Sequence, residues 1–259
     1  MWQSLTNEIK LTLLEQTGCL SEKPNIQAAL VEEVSIIVPV KDEEDGLEYL
    51  LEDFSSSSLK EKYKVNFIFV IDKRTSDLSK EFASKISNNI IDQNDTTGKG
   101  SAIIQAIENW KEDPSQKVIF LDADGSYSFE SVLKILERLN EVGGIVSGSR
   151  FLSRKGRPEG MSTLHFIGNK ALSLVSTIRN GRKISDLCSG LWGFERDALM
   201  NLGISSRGFD LEAQIAGLAR KNKINHSEIQ VNWSQRKGGM SKLRSIRDGT
   251  IIFLRILRT

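Results

Sequence analysis

Between Val34 and Ser147 the chain alternates short apolar runs with amphipathic stretches, and this alternation limits the fold more than any other feature. Val34–Val38, Val65–Ile71, Asn89–Asp92, Lys117–Leu121 and Gly144–Ser147 read as strands. Asp45–Phe54, Leu78–Ile86, Gly98–Trp110 and Phe129–Leu139 lie between them and read as helices. Strands joined through helices predict an α/β fold, a mostly parallel sheet with right-handed crossovers and flanking helices. No internal repeat or low-complexity linker breaks the pattern, so one compact α/β domain is expected.

After Arg150 the rhythm changes. A loop rich in Arg, Gly and Pro, Arg154–Gly160, leads into a long amphipathic helix over Ser162–Ile178. Its stripe of Leu164, Ile167, Ala171, Leu174 and Ile178 reads first as core packing. A turn and strand over Asp186–Phe194, a helix over Asp210–Arg220 and a strand over Ile224–Trp233 follow. Arg236–Lys242 is a basic, flexible loop. The last helix, Leu243–Leu257, mixes Ile246, Ile251, Phe253, Leu254 and Ile256 with arginines. At roughly four turns it is too short to span a bilayer but able to lie against one. Ahead of the alternation, Trp2, Leu5, Ile9, Leu13 and Leu14 are spaced as in a helix, and Pro24 opens a second short helix to Glu33. The expected organisation is a helical extension over residues 1–33, the α/β domain over 34–242 and an amphipathic helix over 243–259.

Composition excludes several classes. A net charge of +1 argues against a dedicated nucleic-acid binder. Cys19 and Cys188 form no metal-ligand spacing and no disulfide framework, which suits a reducing compartment. The start, Met1-Trp2-Gln3-Ser4, lacks the basic region and apolar core of a signal peptide, and no apolar run is long enough to span a bilayer. A cytoplasmic location is expected. Charge is unevenly spread: Glu32–Asp53 is acid-rich, whereas Arg150–Lys183 and Arg236–Arg258 are basic and carry apolar helical stripes. Such segments are either solvated faces or the seat of an anionic, partly greasy partner.

The chemistry centres on Val118-Ile119-Phe120-Leu121-Asp122-Ala123-Asp124-Gly125. A buried strand ends here in two carboxylates, which alternation places on one side of the chain, and Gly125 turns the backbone away. Acids at the C-terminal tip of a parallel strand stand where open α/β sheets bind ligands. Such a pair suits a divalent cation shared with a diphosphate, and equally a solvated turn. Lys41–Glu44 and Asp72–Asp77 end two further strands and should line the same cleft. Asp72 can accept from a base or a ribose hydroxyl, or close a turn; Asp77 reads as a helix cap. Gly98-Lys99-Gly100 lacks the Walker spacing, yet a glycine-led helix start with one lysine can face an anion. Glu212 is either a working base or a helix-surface acid, and His165 either meets an anion or is simply exposed.

Taken together and in order, VSIIVPVKDEE (34–44), VIDKRTSD (70–77), GKGSA (98–102), LDADG (121–125), GSR (148–150), SDLCSG (185–190) and RKGGMSK (236–242) resemble the inverting GT-A glycosyltransferases. The likeness is to the family that includes dolichyl- and polyprenyl-phosphate mannose, glucose and N-acetylglucosamine synthases. It implies that Pro39, Val40, Glu43 and Asp72 meet the nucleoside, with Lys99 and Asp122 also in the nucleotide-sugar site. Asp122 and Asp124 would hold Mg2+ or Mn2+. Arg150, Ser189, Arg236 and Lys242 fall where the family surrounds the acceptor phosphate and the leaving diphosphate. Asn169 and Asp186 also match family positions. The second strand's loop departs from the family pattern, with Lys73 in place of an acid and Arg74 in place of a glycine, and Ser126 stands where some members place a third metal ligand, Gln.

The resemblance implies transfer of a hexosyl unit from a nucleoside-diphosphate sugar to a polyprenyl phosphate, with inversion, at the inner face of a membrane. A phosphate dianion is already nucleophilic, so the reaction needs positioned cations more than a strong base. The alternatives are a relative that glycosylates a polysaccharide or small soluble acceptor through a base such as Glu212, and an inactive sugar-nucleotide-binding scaffold.

Overall fold

In the computed structural model of the chain, residues 32–94, 96–153, 156–239, 241–242 and 245–259 are described. The helices expected over 2–17 and from Pro24 lie outside them, save that Glu32 and Glu33 open a strand rather than close a helix. In chain order the elements are β1 (Glu32–Val40), α1 (Glu44–Ser56), α2 (Leu59–Lys62), β2 (Tyr63–Ile71), α3 (Ser79–Ile86) and β3 (Ile90–Asp92). Then come α4 (Lys99–Trp110), β4 (Lys117–Leu121), α5 (Phe129–Val142), β5 (Ile145–Ser149) and α6 (Thr163–Asn180). The remainder is β6 (Leu191–Glu195), α7 (Arg196–Met200), α8 (Leu211–Lys221), β7 (His226–Gln230) and α9 (Ser245–Arg258).

The seven strands form one mixed sheet in the order β3-β2-β1-β4-β6-β5-β7. β1 pairs parallel with β2 and with β4, and β2 parallel with β3. The expected parallel sheet is therefore present, with one reversal: β6 runs antiparallel to both neighbours, β4 and β5. Helices cover both faces, as alternation along the strands requires. Val34, Ile36, Val38 and Val40 of β1 join Ile119 and Leu121 of β4 in one core, with Leu47 of α1 and Ile135 of α5. Ile37, Val118 and Phe120 point to the other face and pack with Ile103 and Trp110 of α4 and Ile215 of α8. Period-two patterning thus builds a sheet buried on both sides.

The core-packing reading of α6 is overturned. Leu164, Ile167, Leu174 and Ile178 are 59–74% exposed, whereas Asn169, Ser173, Ser176 and Asn180 are the buried edge. Those polar residues are tied by hydrogen bonds: Leu187 N–H and Cys188 N–H donate to Ser173 and Asn169, and Asn180 donates to Ser176. Leu172 and Val175 flank this polar edge and pack with Leu187, Ala216 and Ile252, so the packing side of the helix is part polar and part apolar while the expected stripe faces out. Ser162 caps its start by accepting from His165 N–H, and Gly181 ends it in the left-handed region. α9 packs on α6 and α8, burying Ile252 and Ile256 against Leu187 and Ala216 and leaving Ile246, Phe253 and Leu257 exposed. No helix among the described residues is long and apolar enough to cross a membrane.

Candidate active site

Chain order changes direction at β1, which has β2 on one side and β4 on the other, so a crevice opens at their C-terminal ends. A cleft of about 1000 Å³ lies there, lined by Pro39, Val40, Glu43, Asp72, Lys99, Asp122, Asp124, Arg150, Arg236 and Lys242. Of the residues assigned to the metal, the nucleotide sugar and the two phosphates, all line it except Ser189; of the two strand-end loops, Lys41, Glu43, Asp72 and Arg74 line it, whereas Asp42, Glu44 and Asp77 do not. The Ser189 hydroxyl is wholly buried, between Tyr127 OH and Leu191 N–H, so it supports the wall from behind.

Lys99 opens α4, and its ammonium stands 2.7 Å from Asp122 Oδ1 and 2.7 Å from Glu212 Oε1. Burial pulls this lysine's pKa down, but the two carboxylates outweigh it and hold the group well above the usual lysine range. The α4 start is seated by close backbone contact: a Cβ on Gly100 would lie 2.1 Å from the Ser206 carbonyl oxygen. Glu212 is not a surface acid; it is buried in the cleft wall on α8. The signal was present, because Leu211, Ala213, Ile215, Ala216 and Ala219 span a broad apolar arc of the helix and Glu212 falls in the middle of it.

Asp122 receives its other constraint from the reversed strand. Its N–H donates to the Gly190 carbonyl, and a Cβ on Gly190 would fall 1.9 Å from Asp122 Oδ2. Only glycine leaves the carboxylate room there. Asp124 accepts from Ser126 N–H at 3.1 Å and faces the same cleft. The two carboxylates are hard oxygen donors fit for Mg2+ or Mn2+. Among the described residues they are not joined by a third acid, histidine or cysteine in ligating reach. Phosphate oxygens and water would have to supply the remaining ligands.

On the nucleoside side, Arg74 takes both oxygens of the buried Asp72, Nε to Oδ1 at 2.9 Å and Nη2 to Oδ2 at 2.7 Å. Hydrogen bonding from Arg74 holds the Asp72 carboxyl below the ordinary aspartate range. Arg74 therefore places a guanidinium over the acid, where the family pattern has a glycine. Asp77 stands one residue ahead of the cap position of α3, which is Leu78, and accepts from Ser79 N–H at 3.0 Å and from Glu44 N–H at 3.2 Å.

The basic loop reaches back across the cleft to the first strand end. Arg236 Nη2 donates to both oxygens of Glu43 at 2.7 Å, and Lys242 Nζ to Glu43 Oε1 at 2.8 Å and the Asp42 carbonyl at 2.7 Å. Lys237 N–H donates to the Asp124 carbonyl, and its ammonium lies over the Tyr49 ring. Glu43, Arg236 and Lys242 therefore form one cluster. At the end of β5, Arg150 is forked onto Asp186, Nε to Oδ2 at 2.7 Å and Nη2 to Oδ1 at 2.8 Å. Asn169 of α6 donates to the same carboxylate at 2.6 Å. Sequence reasoning missed Tyr127, whose hydroxyl accepts from Gly190 N–H at 3.0 Å and is pushed up to about 12, chiefly by burial. A bulky aromatic right after the acidic turn was the only signal.

Residues 35–203 match the family described as glycosyl transferase family 2. The chain belongs to that family. This family 2 glycosyltransferase is 28% identical over 226 residues to glycosyltransferase AglJ of Haloferax volcanii, covering 87% of this chain and 71% of that protein. It is 29% identical over 242 residues to a dolichyl-phosphate beta-glucosyltransferase of Trichomonas vaginalis, covering 86% and 72%. Its fold resembles glucosyl-3-phosphoglycerate synthase from Mycobacterium tuberculosis, solved with Mn2+, uridine diphosphate and phosphoglyceric acid. That match has TM-score 0.63 at 14% identity, covering 87% of this chain and 76% of that one. The GT-A architecture expected from the sequence is the one observed. Glu212, Arg236 and Lys242 lie beyond the family-matched span, yet they close the same cleft.

Proposed function

We propose that this glycosyltransferase moves a hexosyl unit from a nucleoside-diphosphate sugar to a polyprenyl phosphate, with inversion, on the cytoplasmic face of a membrane. The observation that carries the reading is α6, whose exposed apolar edge, with that of α9, borders a cleft rich in arginine and lysine. A peripheral enzyme lying on a bilayer through these helices would bring that cleft to a lipid phosphate. The curated relatives named for dolichyl-phosphate transfer support the same class of acceptor. On this reading residues 34–242 form the transferase, 243–259 the surface-binding helix and 1–33 an extension.

The chemistry is a single in-line displacement. An oxygen of the acceptor phosphate bonds to the sugar's anomeric carbon as the bond from that carbon to the diphosphate oxygen breaks, so configuration inverts. The phosphate enters as an anion and the nucleoside diphosphate leaves as one, so no side chain has to take a proton. Arg150, fixed by Asp186, and Arg236 with Lys242 hold phosphate oxygens. Lys99 stabilises the departing diphosphate, and Pro39, Val40, Glu43 and Asp72 form the nucleoside end. Asp122 and Asp124 would hold Mg2+ or Mn2+, which when bound neutralises diphosphate charge. Ser189 keeps the Gly190 turn in place beneath Asp122.

The buried position of Glu212 supports a second reading, a soluble acceptor whose hydroxyl this carboxylate deprotonates; its pairing with Lys99 weighs against that. Radiolabelled transfer from a panel of UDP- and GDP-sugars into polyprenyl phosphate separates the two. An organic-extractable product, lost with EDTA and in Asp124→Ala, is expected. Metal-dependent donor hydrolysis without lipid product would overturn the lipid acceptor.

A further inference from the structure

We propose that the space between α6 and α9 is a seat for the acceptor's hydrocarbon chain, holding its first isoprene units beside the catalytic cations. This rests on the prenyl-phosphate reading above and adds a binding site to it. The cleft that contains Asp122 and Arg150 is also lined by Leu164, Gly168 and Ala171 of α6 and by Ile246, Gly249 and Phe253 of α9. One continuous cavity therefore joins a charged region to an apolar one.

The apolar wall is not leftover core. The buried edge of α6 is spent on hydrogen bonds to the 184–188 segment, with Leu172 and Val175 packed beside it, whereas Leu164 and Ala171 line the cleft instead. Nor is the wall closed. A Cβ added at Gly168 or at Gly249 would meet no atom within 4 Å, so both helix backbones are open where they line the cleft. Water in such a channel gains few hydrogen bonds, and an apolar occupant is favoured in proportion to the area it covers. Charge decides the rest of the ligand. Arg150, Arg236 and Lys242 line the same cavity, so the occupant that satisfies both regions is an amphiphile with a phosphate head and an apolar chain. A sugar or a small phosphorylated acceptor would leave the apolar wall bare.

The test uses prenyl monophosphates of five, ten, fifteen and twenty carbons below their aggregation limits, without vesicles. In the wild-type enzyme KM is expected to fall about tenfold per added isoprene unit for the first two or three units, then level off. Gly168→Leu and Gly249→Leu place side chains in the seat and substitute better helix formers for glycine. Each should shrink the advantage of the fifteen-carbon over the five-carbon acceptor at least about tenfold, while the Kd for nucleoside diphosphate stays within about twofold. Equal KM values across the wild-type series, or an undiminished chain-length advantage in both variants, would overturn the seat while leaving lipid transfer standing. Donor turnover without transfer to any prenyl phosphate would overturn the acceptor reading and the seat together.

Discussion

The Lys99 ammonium lies 2.7 Å from Glu212 Oε1 and shares itself with Asp122 at the same distance, so one buried cation serves two acids. Removing it leaves Glu212 buried without a counter-charge. Lys99→Met is expected to lower unfolding free energy by about 3–5 kcal/mol. Adding Glu212→Gln removes the stranded charge and should restore more than half of that loss in urea titrations. Donor binding should stay weak in the double variant, because the ammonium assigned to the departing diphosphate is still missing. A double variant no more stable than Lys99→Met would refute the pairing.

Asp186 carries the Arg150 guanidinium on both oxygens and is wholly buried at its side chain. Asp186→Asn keeps the shape and removes the anion, leaving a buried arginine uncompensated, at a cost of about 3–5 kcal/mol. In a domain of this size that corresponds to a fall in Tm of about 10 °C. KM for the acceptor should rise as well, since the fork that aims Arg150 is lost. A Tm within about 2 °C of wild type would show that the fork contributes little.

His226 gives the fold an acid limit. Its Nε2 lies 2.9 Å from Ser147 Oγ, its ring stacks on Trp192, and burial, aided by the charge of Arg182, holds its pKa down at about 3. An unfolded histidine titrates near ~6.5, so between about pH 6.5 and 3 the unfolded chain binds a proton that the folded chain refuses. Stability therefore falls as pH falls through that window. Between pH 7 and pH 5 this one group should remove on the order of 2 kcal/mol. Urea titrations of His226→Gln at the two pH values should show a smaller difference than wild type by that amount.

Ile167 and Ile178 are 60% and 74% exposed on the outer edge of α6. Replacing both by Glu should abolish co-sedimentation with vesicles of anionic lipid while changing unfolding free energy by no more than about 0.5 kcal/mol per site. Undisturbed vesicle binding would remove α6 from the membrane face.

Much of this was legible in the chain because strand ends announce themselves. Apolar runs stopping at Asp72 and Asp122 located one edge of the sheet, and parallel pairing then required their loops to meet in one cleft. Asp77 was legible as a helix-start residue because its bond to Ser79 N–H is local, though the cap position itself falls on Leu78. Long-range pairings were not. Nothing near Glu43 in sequence points to Arg236 and Lys242, since the approach depends on the sheet having formed. The Arg74 fork over Asp72 is local but follows from a rotamer, which composition does not specify. The stripe on α6 was visible, but periodicity says only that one edge is oily, not which way that edge turns. Ser189 carried the family motif and still faces the interior, because it sits one residue before the turn that cradles Asp122.

The reversed strand β6 has an architectural consequence. Because β5 and β6 are antiparallel neighbours, the segment between them leaves and re-enters the sheet at the same edge. Everything from Phe151 to Gly190, α6 included, is an excursion hung from two adjacent strand ends. Ahead of Asp186–Gly190, which holds Arg150 and Asp122, its length and content can change without shifting the register of β1, β2 and β4, which carry the other wall of the cleft. The fold is thus modular at the level of a single loop: one wall is built into the sheet, and the facing wall can be exchanged.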